Sequence, residues 1–205
     1  MRLFYAIELD DSTRGLLADN LNKLKPKAVR ANFTRAENLH LTLRFMGEIE
    51  TGHVVVLKKI LDYIAGRFSA FCLELAAPGV FERGHKSIVW WGLKGNEQLN
   101  DLQSALEQEI RLNGFTAESK PYSPHITLAR EFVSQDSIVN VIKLLPTLNH
   151  SFHVGAVSLM ESTRQEGKLK YLCRYRAELG RTIPGADNEP SALGKLHNLT
   201  ERWLS

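Results

Sequence analysis

The sequence predicts an α+β fold of two similar halves, each running strand–helix–strand–helix–strand. Three observations predict it. The order of apolar patterns repeats, the spacings within the two copies agree to one residue, and one short motif occupies the same strand in both. Internal repetition of this kind organises a fold more strongly than any single segment.

In the first half, residues 2–9 are apolar and β-prone and read as a strand. Asp11 and Ser12 can cap a helix whose stripe is Leu17, Leu21 and Leu24, stopped before Pro26. Residues 39–45 alternate, with Leu39, Leu41, Leu43 and Phe45 on one face and His40, Thr42 and Arg44 on the other. That is a half-buried strand. Thr51 opens a second helix with Leu57, Ile60, Leu61 and Ile64 on one face and Gly66 at its end. Residues 68–76 read as a strand, and 78–85 as a turn-rich loop.

The second half begins with a strand over 87–93. Asn96 caps a helix carrying Leu99, Leu102, Leu106 and Ile110, ending near Asn113 and Gly114. A strand over 124–129 follows. Ser134 opens a helix with Ile138, Val141, Ile142 and Leu145, stopped by Pro146. Strands over 152–161 and 171–179 flank a polar hairpin at 162–168. Residues 1–180 form the repeated domain. Residues 181–205 form a polar linker and a short amphipathic C-terminal helix through Leu193, Leu196 and Trp203.

Composition narrows the class. The chain has 205 residues, 43% apolar and 24% charged, with a net charge of +3. These are ordinary globular values. The mild basic excess permits an anionic ligand without the dense Lys/Arg clusters of a protein that lives on counterion release. No apolar run approaches the ~20 residues of a membrane span, so a soluble protein is expected. Glu8 and Asp10 interrupt the opening apolar run, unlike a signal peptide. Cys72 and Cys173 each sit in a strand-like run, which suggests buried free thiols in a reducing cytoplasm.

The motif that repeats contains histidine. His40-Leu41-Thr42-Leu43 and His125-Ile126-Thr127-Leu128 lie 85 residues apart. From the 7 His and 10 Thr of the chain, one such motif should arise by chance about 0.06 times. On a strand, residues i and i+2 share a face. Each copy therefore offers an imidazole and a hydroxyl to one side and anchors its apolar residues on the other. A pseudo-twofold axis would bring both pairs to one cleft. Imidazole titrates near neutrality, so one ring can act as base and the other as acid. Hydroxyls can hold anionic oxygens. Such a set suits phosphodiester cleavage without a metal or other cofactor.

These segments resemble the 2H phosphoesterase superfamily, specifically the RNA 2′,3′-cyclic phosphodiesterases, also called 2′-5′ RNA ligases. The resemblance rests on residues 2–9, 37–47 and 120–130, on Gly79 and Phe81, and on Tyr171. Lys120 and Tyr122 depart from it, where Arg and Phe are more usual. It covers residues 1–180 and implies a bilobal fold with antiparallel-type sheets and a central cleft. It also implies hydrolysis of a terminal 2′,3′-cyclic phosphate on RNA to a 2′-phosphate, reversible 2′-5′ ligation, and no cofactor or membrane partner. Carried over, His40 is the proton donor, His125 the proton acceptor, and Thr42 and Thr127 hold the phosphoryl oxygens. Arg130 is the substrate-binding arginine after the second motif. Its parity from His125 points away from the cleft unless the strand ends or bulges at Ala129. Arg44 has the right parity but sits further along its strand. Tyr122 and Phe81 could stack on a base or pack the loops.

Blander readings exist. A non-catalytic RNA-end-binding module would keep the cleft and lose the titrating pair. A sibling phosphodiesterase for small cyclic nucleotides would share the histidines. His150 and His153 have a ligand-like spacing but no supporting thiolate or carboxylate cluster. Glu107, Glu109 and Asp101 read as a solvated helix face, and Trp90 and Trp91, of opposite parity, as core by default.

Overall fold

The computed structural model describes residues 1–180; the linker and C-terminal helix expected over 181–205 lie outside the described residues. The described residues fold into nine strands and four α-helices. The first half contains β1 (Arg2–Glu8), α1 (Asp11–Leu24), β2 (Arg30–Phe33), β3 (His40–Glu48), α2 (Val54–Arg67) and β4 (Phe71–Arg83). The second contains β5 (Lys86–Leu93), α3 (Glu97–Leu112), β6 (His125–Val133), α4 (Ile138–Ile142), β7 (Ser151–Val154), β8 (Ala156–Gln165) and β9 (Lys168–Glu178). Every strand pairing is antiparallel, in the path β7-β4-β5-β6-β3-β1-β8-β9, with β2 added on β6. The two motif strands, β3 and β6, meet in this path at one register pair, Leu41 opposite Ile126, while β4 pairs with β5 and β7, and β8 with β1, so the strands of the two sequence halves interleave.

Local chemistry accounts for most elements. Asp10 caps α1 by accepting from the Thr13 amide at 2.6 Å, and Asn96 caps α3 by accepting from the Leu99 amide at 2.9 Å. The predicted leucine stripes of α1, α2 and α3 are buried. β1 is buried on both faces. Leu3, Tyr5 and Ile7 enter the main core, where the Tyr5 hydroxyl donates to the Leu57 carbonyl at 2.8 Å. Phe4 and Ala6 turn the other way and pack with Met160 and Tyr171. The second face of β1 therefore builds a wall of the candidate site.

Several expectations need correction. Residues 78–83 are not loop: β4 continues to Arg83 and pairs with β5. The register shift between Leu75 and Pro78 absorbs the proline, and Gly79 lies under the Trp90 ring. β2 has only four residues, Arg-Ala-Asn-Phe, too short and polar to stand out; its pairing with β6 also carries that strand past Ala129 to Val133. The helix expected from Ser134 shrinks to Ile138–Ile142, with no side-chain cap at Ser137. The strand expected over 152–161 divides at Gly155, where the chain leaves β4 for β1. Cys72 and Cys173 are exposed, on the outward positions of β4 and β9.

Candidate active site

Both motif histidines begin a strand and are held alike. His40 Nδ1 lies 2.7 Å from the Asn38 carbonyl, and His125 Nδ1 lies 2.7 Å from the Ser123 carbonyl. A carbonyl only accepts, so each Nδ1 carries a hydrogen and each Nε2 of the neutral ring presents a lone pair. The Thr42 hydroxyl donates to His40 Nε2 at 3.0 Å. Asn38, almost fully buried, fixes this arrangement from below: its amide donates to the Leu169 carbonyl at 3.0 Å and accepts from the Tyr171 amide at 3.2 Å. Two carbonyls thus select the same tautomer at equivalent positions of the two halves.

Aromatic rings frame each imidazole. Phe4 and Tyr171 lie 4.9 and 5.0 Å from the His40 ring. Phe81 and Trp90 lie 5.1 and 6.2 Å from the His125 ring. Trp90 is thus at the site, while Trp91 is wholly buried and donates to the Ala76 carbonyl at 2.8 Å. A Cβ on Gly79 would stand 2.3 Å from the Trp90 ring, so only glycine lets that ring lie where it does. Tyr122 packs against the core, and its hydroxyl donates to the Thr42 carbonyl at 3.3 Å.

The parity of Arg130 is resolved by a bulge. Ala6 pairs with Thr42 and Tyr5 with Arg44, leaving Leu43 as an extra residue in β3. Trp90 pairs with Thr127 and Val89 with Ala129, leaving Leu128 as the extra residue in β6. Each bulge reverses the alternation. Phe45 and Arg130 then reach the cleft face, while Arg44 turns to the core. A cavity of about 590 Å³ contains His40, Thr42, Phe4, Phe45, Arg130 and Tyr171 in its wall. Arg44 does not serve it. Arg44 is 9% exposed and bonds Glu107 at 2.7 Å and the Thr116 carbonyl at 2.5 Å. Glu107 is accordingly not a solvated residue, and Glu109 is buried.

Burial pushes the pKa of both histidines below the ordinary imidazole value. The hydrogen bonds from Nδ1 oppose that shift, and the positive field of Arg130 adds to it at both rings. His40 also feels the charge of His125, so protonation of one ring disfavours protonation of the other. A phosphate that neutralised Arg130 would ease protonation of both. His150 bonds the Thr13 hydroxyl at 2.8 Å, and no group of three potential metal ligands occurs among the described residues.

The profile of the 2′-5′ RNA ligase superfamily matches residues 15–166. The chain belongs to this superfamily. Among superfamily relatives, it is similar to the RNA 2′,3′-cyclic phosphodiesterase of Escherichia coli, 30% identical over 83% of this chain and 92% of that protein. It is also similar to that of Aeropyrum pernix, 30% identical over 80% of this chain and 96% of the relative. The crystal structure of E. coli LigT complexed with 3′-AMP superposes with a TM-score of 0.73 at 28% identity, covering 88% of this chain and 98% of the other. A Thermus thermophilus structure at 24% identity, covering 88% and 98%, shares the superfamily fold with a TM-score of 0.75.

Of the residues singled out in the sequence, His40, Thr42, Arg130 and Tyr171 line this one cavity, whereas His125 and Thr127 are not among its lining residues. Sequence reasoning missed Phe4, Phe45 and the carbonyls of Asn38 and Ser123. The two-residue offset from carbonyl to histidine, repeated at 85 residues, was a usable signal for the last pair.

Proposed function

We propose that residues 1–180 act as an RNA 2′,3′-cyclic phosphodiesterase that opens a terminal cyclic phosphate to a 2′-phosphate, in the cytoplasm and without a metal. His125 Nε2 accepts a proton from water as the water oxygen bonds to phosphorus. The bond from phosphorus to O3′ breaks, and His40, protonated at Nε2 in the substrate complex, gives its proton to O3′. Thr42 leaves His40 Nε2 to donate to a phosphoryl oxygen, as does Thr127. Arg130 offsets charge on the phosphoryl group. Joining a 2′-5′ linkage is the same displacement with a 5′-hydroxyl in place of water: His125 takes the hydroxyl proton as its oxygen bonds to phosphorus, the bond to O3′ breaks, and His40 protonates O3′. The observation that carries this reading is the shared tautomer, which leaves the Nε2 of both rings for proton transfer.

The experiment is a product assay on an oligonucleotide ending in a 2′,3′-cyclic phosphate, in excess chelator, resolving 2′- from 3′-phosphate ends. Turnover to a 2′-phosphate is expected. A bound but unreacted substrate would support a binding module instead, and a requirement for added metal would overturn the metal-free mechanism.

A further inference from the structure

His40 and His125 are held alike, yet a proton donor and a proton acceptor must differ. Each Nδ1 donates to the carbonyl two residues earlier at 2.7 Å, so the tautomer does not separate them. The neighbouring strand does. His40 stands directly opposite Glu8 in the β1–β3 register, and His125 directly opposite Gly92 in the β5–β6 register. Directly opposite residues share a face, with Cβ atoms about 5 Å apart. One imidazole therefore has a carboxylate beside it, and the other has no side chain at the matching place.

Both partners are fixed by their surroundings. Ser158, 1% exposed on β8, donates from its hydroxyl to Glu8 Oε1 at 2.5 Å. Arg176 on β9 lies 3.7 Å from the same oxygen through Nη1, but its Nε donates to Glu178 Oε1 at 2.9 Å. Arg176 is half exposed, so it offsets the Glu8 charge only weakly. Cys173, also on β9, is the further titratable neighbour of Glu8. At Gly92 a Cβ would stand 2.9 Å from the Ala77 carbonyl oxygen and 3.2 Å from the Trp90 ring, so packing excludes a side chain beside His125.

The charged and titratable groups that face His40 are Glu8 from β1, Arg130 and His125 from β6, and Tyr171 from β9. Arg2 and Arg164 line the same cavity. Burial, Arg130 and His125 lower the pKa of His40, whereas the Nδ1 hydrogen bond and Glu8 raise it. At His125, burial and Arg130 lower the pKa and the Nδ1 hydrogen bond raises it. Glu8 is thus the charge that tells two otherwise matched rings apart. It is not among the cavity-lining residues, so it acts through His40 and not on the substrate.

We propose that Glu8 is a positioning residue that gives the two histidines their opposite roles: its carboxylate, cross-strand from His40 and without a counterpart at Gly92, holds the transferable proton of the pair on His40. This rests on the phosphodiesterase reading and adds what makes His40 the donor.

The test follows both imidazoles by NMR titration, and kcat against pH, in Glu8→Gln, which keeps the size of the side chain and removes its charge. His40 must be protonated to act, so the alkaline limb of kcat should move to lower pH and kcat at neutral pH should fall by about three- to tenfold. The His40 midpoint should fall, and that of His125 should not. A substrate whose bridging O3′ is replaced by sulfur needs no proton on its leaving group, and its turnover should be nearly unchanged in Glu8→Gln. Glu8→Asp, which keeps the charge, should restore most of the wild-type profile, and Arg176→Gln should move the His40 midpoint up. An unmoved His40 midpoint, a fall at His125 instead, or equal losses on the oxygen and sulfur substrates would overturn the proposal. If Glu8→Gln does not fold, Arg176→Gln decides: a His40 midpoint that stays in place contradicts the coupling. Should no substrate turn over, the phosphodiesterase reading fails; the two midpoints then decide by the same criteria whether Glu8 holds the proton on His40.

Discussion

Phe45 and Arg130 occupy equivalent places in the two halves, each five residues after its motif histidine and each on the cleft face because a leucine before it is bulged out of register. The equivalence places an aromatic ring and a guanidinium group in the wall of one cavity. The same reversal sends Arg44 and Ala129 into the interior. Two strands of like register, β3 and β6, thus supply different chemistry at matching positions while keeping the histidines alike.

The two imidazoles should behave as one unit. His40→Ala and His125→Ala are each expected to reduce kcat by roughly 10² to 10⁴, and the double variant should fall little further. Single-turnover rates of the three variants check this. Losses that multiply would mean that the rings act independently.

Turnover should be bell-shaped in pH. Both folded-state pKa values lie below the ordinary ~6.5 of imidazole, so the free protein holds the one-proton state only at mildly acidic pH. Bound phosphate offsets the field of Arg130 and raises the value of the proton donor. The optimum of kcat/KM, which reports the free protein, should therefore lie at lower pH than the optimum of kcat. Full pH profiles under both conditions test the sign; a kcat/KM optimum on the alkaline side would contradict it.

Gly79→Ala should disturb the site from behind. Its new methyl would meet the Trp90 ring at 2.3 Å, costing roughly 1–3 kcal/mol as overpacking and shifting the rings against His125. Lower Tm and lower kcat are expected together. Adding Trp90→Leu should recover part of the stability, since the clash is removed, and thermal melts of single and double variants measure that recovery.

Arg44→Ala should affect stability. Glu107 is only 20% exposed and would lose its main partner, a cost of about 3 kcal/mol by analogy with broken buried ion pairs. Denaturant unfolding checks the loss, and replacing Glu107 with Gln in the same chain should restore part of it.

Much of this was legible in the sequence because it depends on period and repetition. The leucine stripes of α1 and α3 and the Asn96 cap follow from local rules, and the histidine strands follow from alternation; the α1 cap fell on Asp10, one residue before the expected Asp11. What stayed hidden depends on distant neighbours. Leu43 and Leu128 carry no mark of a bulge; the slip exists only relative to β1 and β5. For that reason the parity of Arg130 looked awkward and that of Arg44 looked right. Residues 78–83 looked like loop because Pro78 and Gly79 are turn formers, yet Trp90 across the hairpin needs the space that glycine leaves. β2 is stabilised by β6 rather than by any pattern of its own.

The assignment of donor and acceptor has a direct test. Replacing the bridging O3′ of the cyclic phosphate with sulfur creates a leaving group that departs without a proton. Single-turnover cleavage of this substrate by His40→Ala should return close to the wild-type rate, while His125→Ala should remain inactive because water still needs a base. Rescue of His125→Ala instead, or of neither variant, would contradict the proposed acid–base pair.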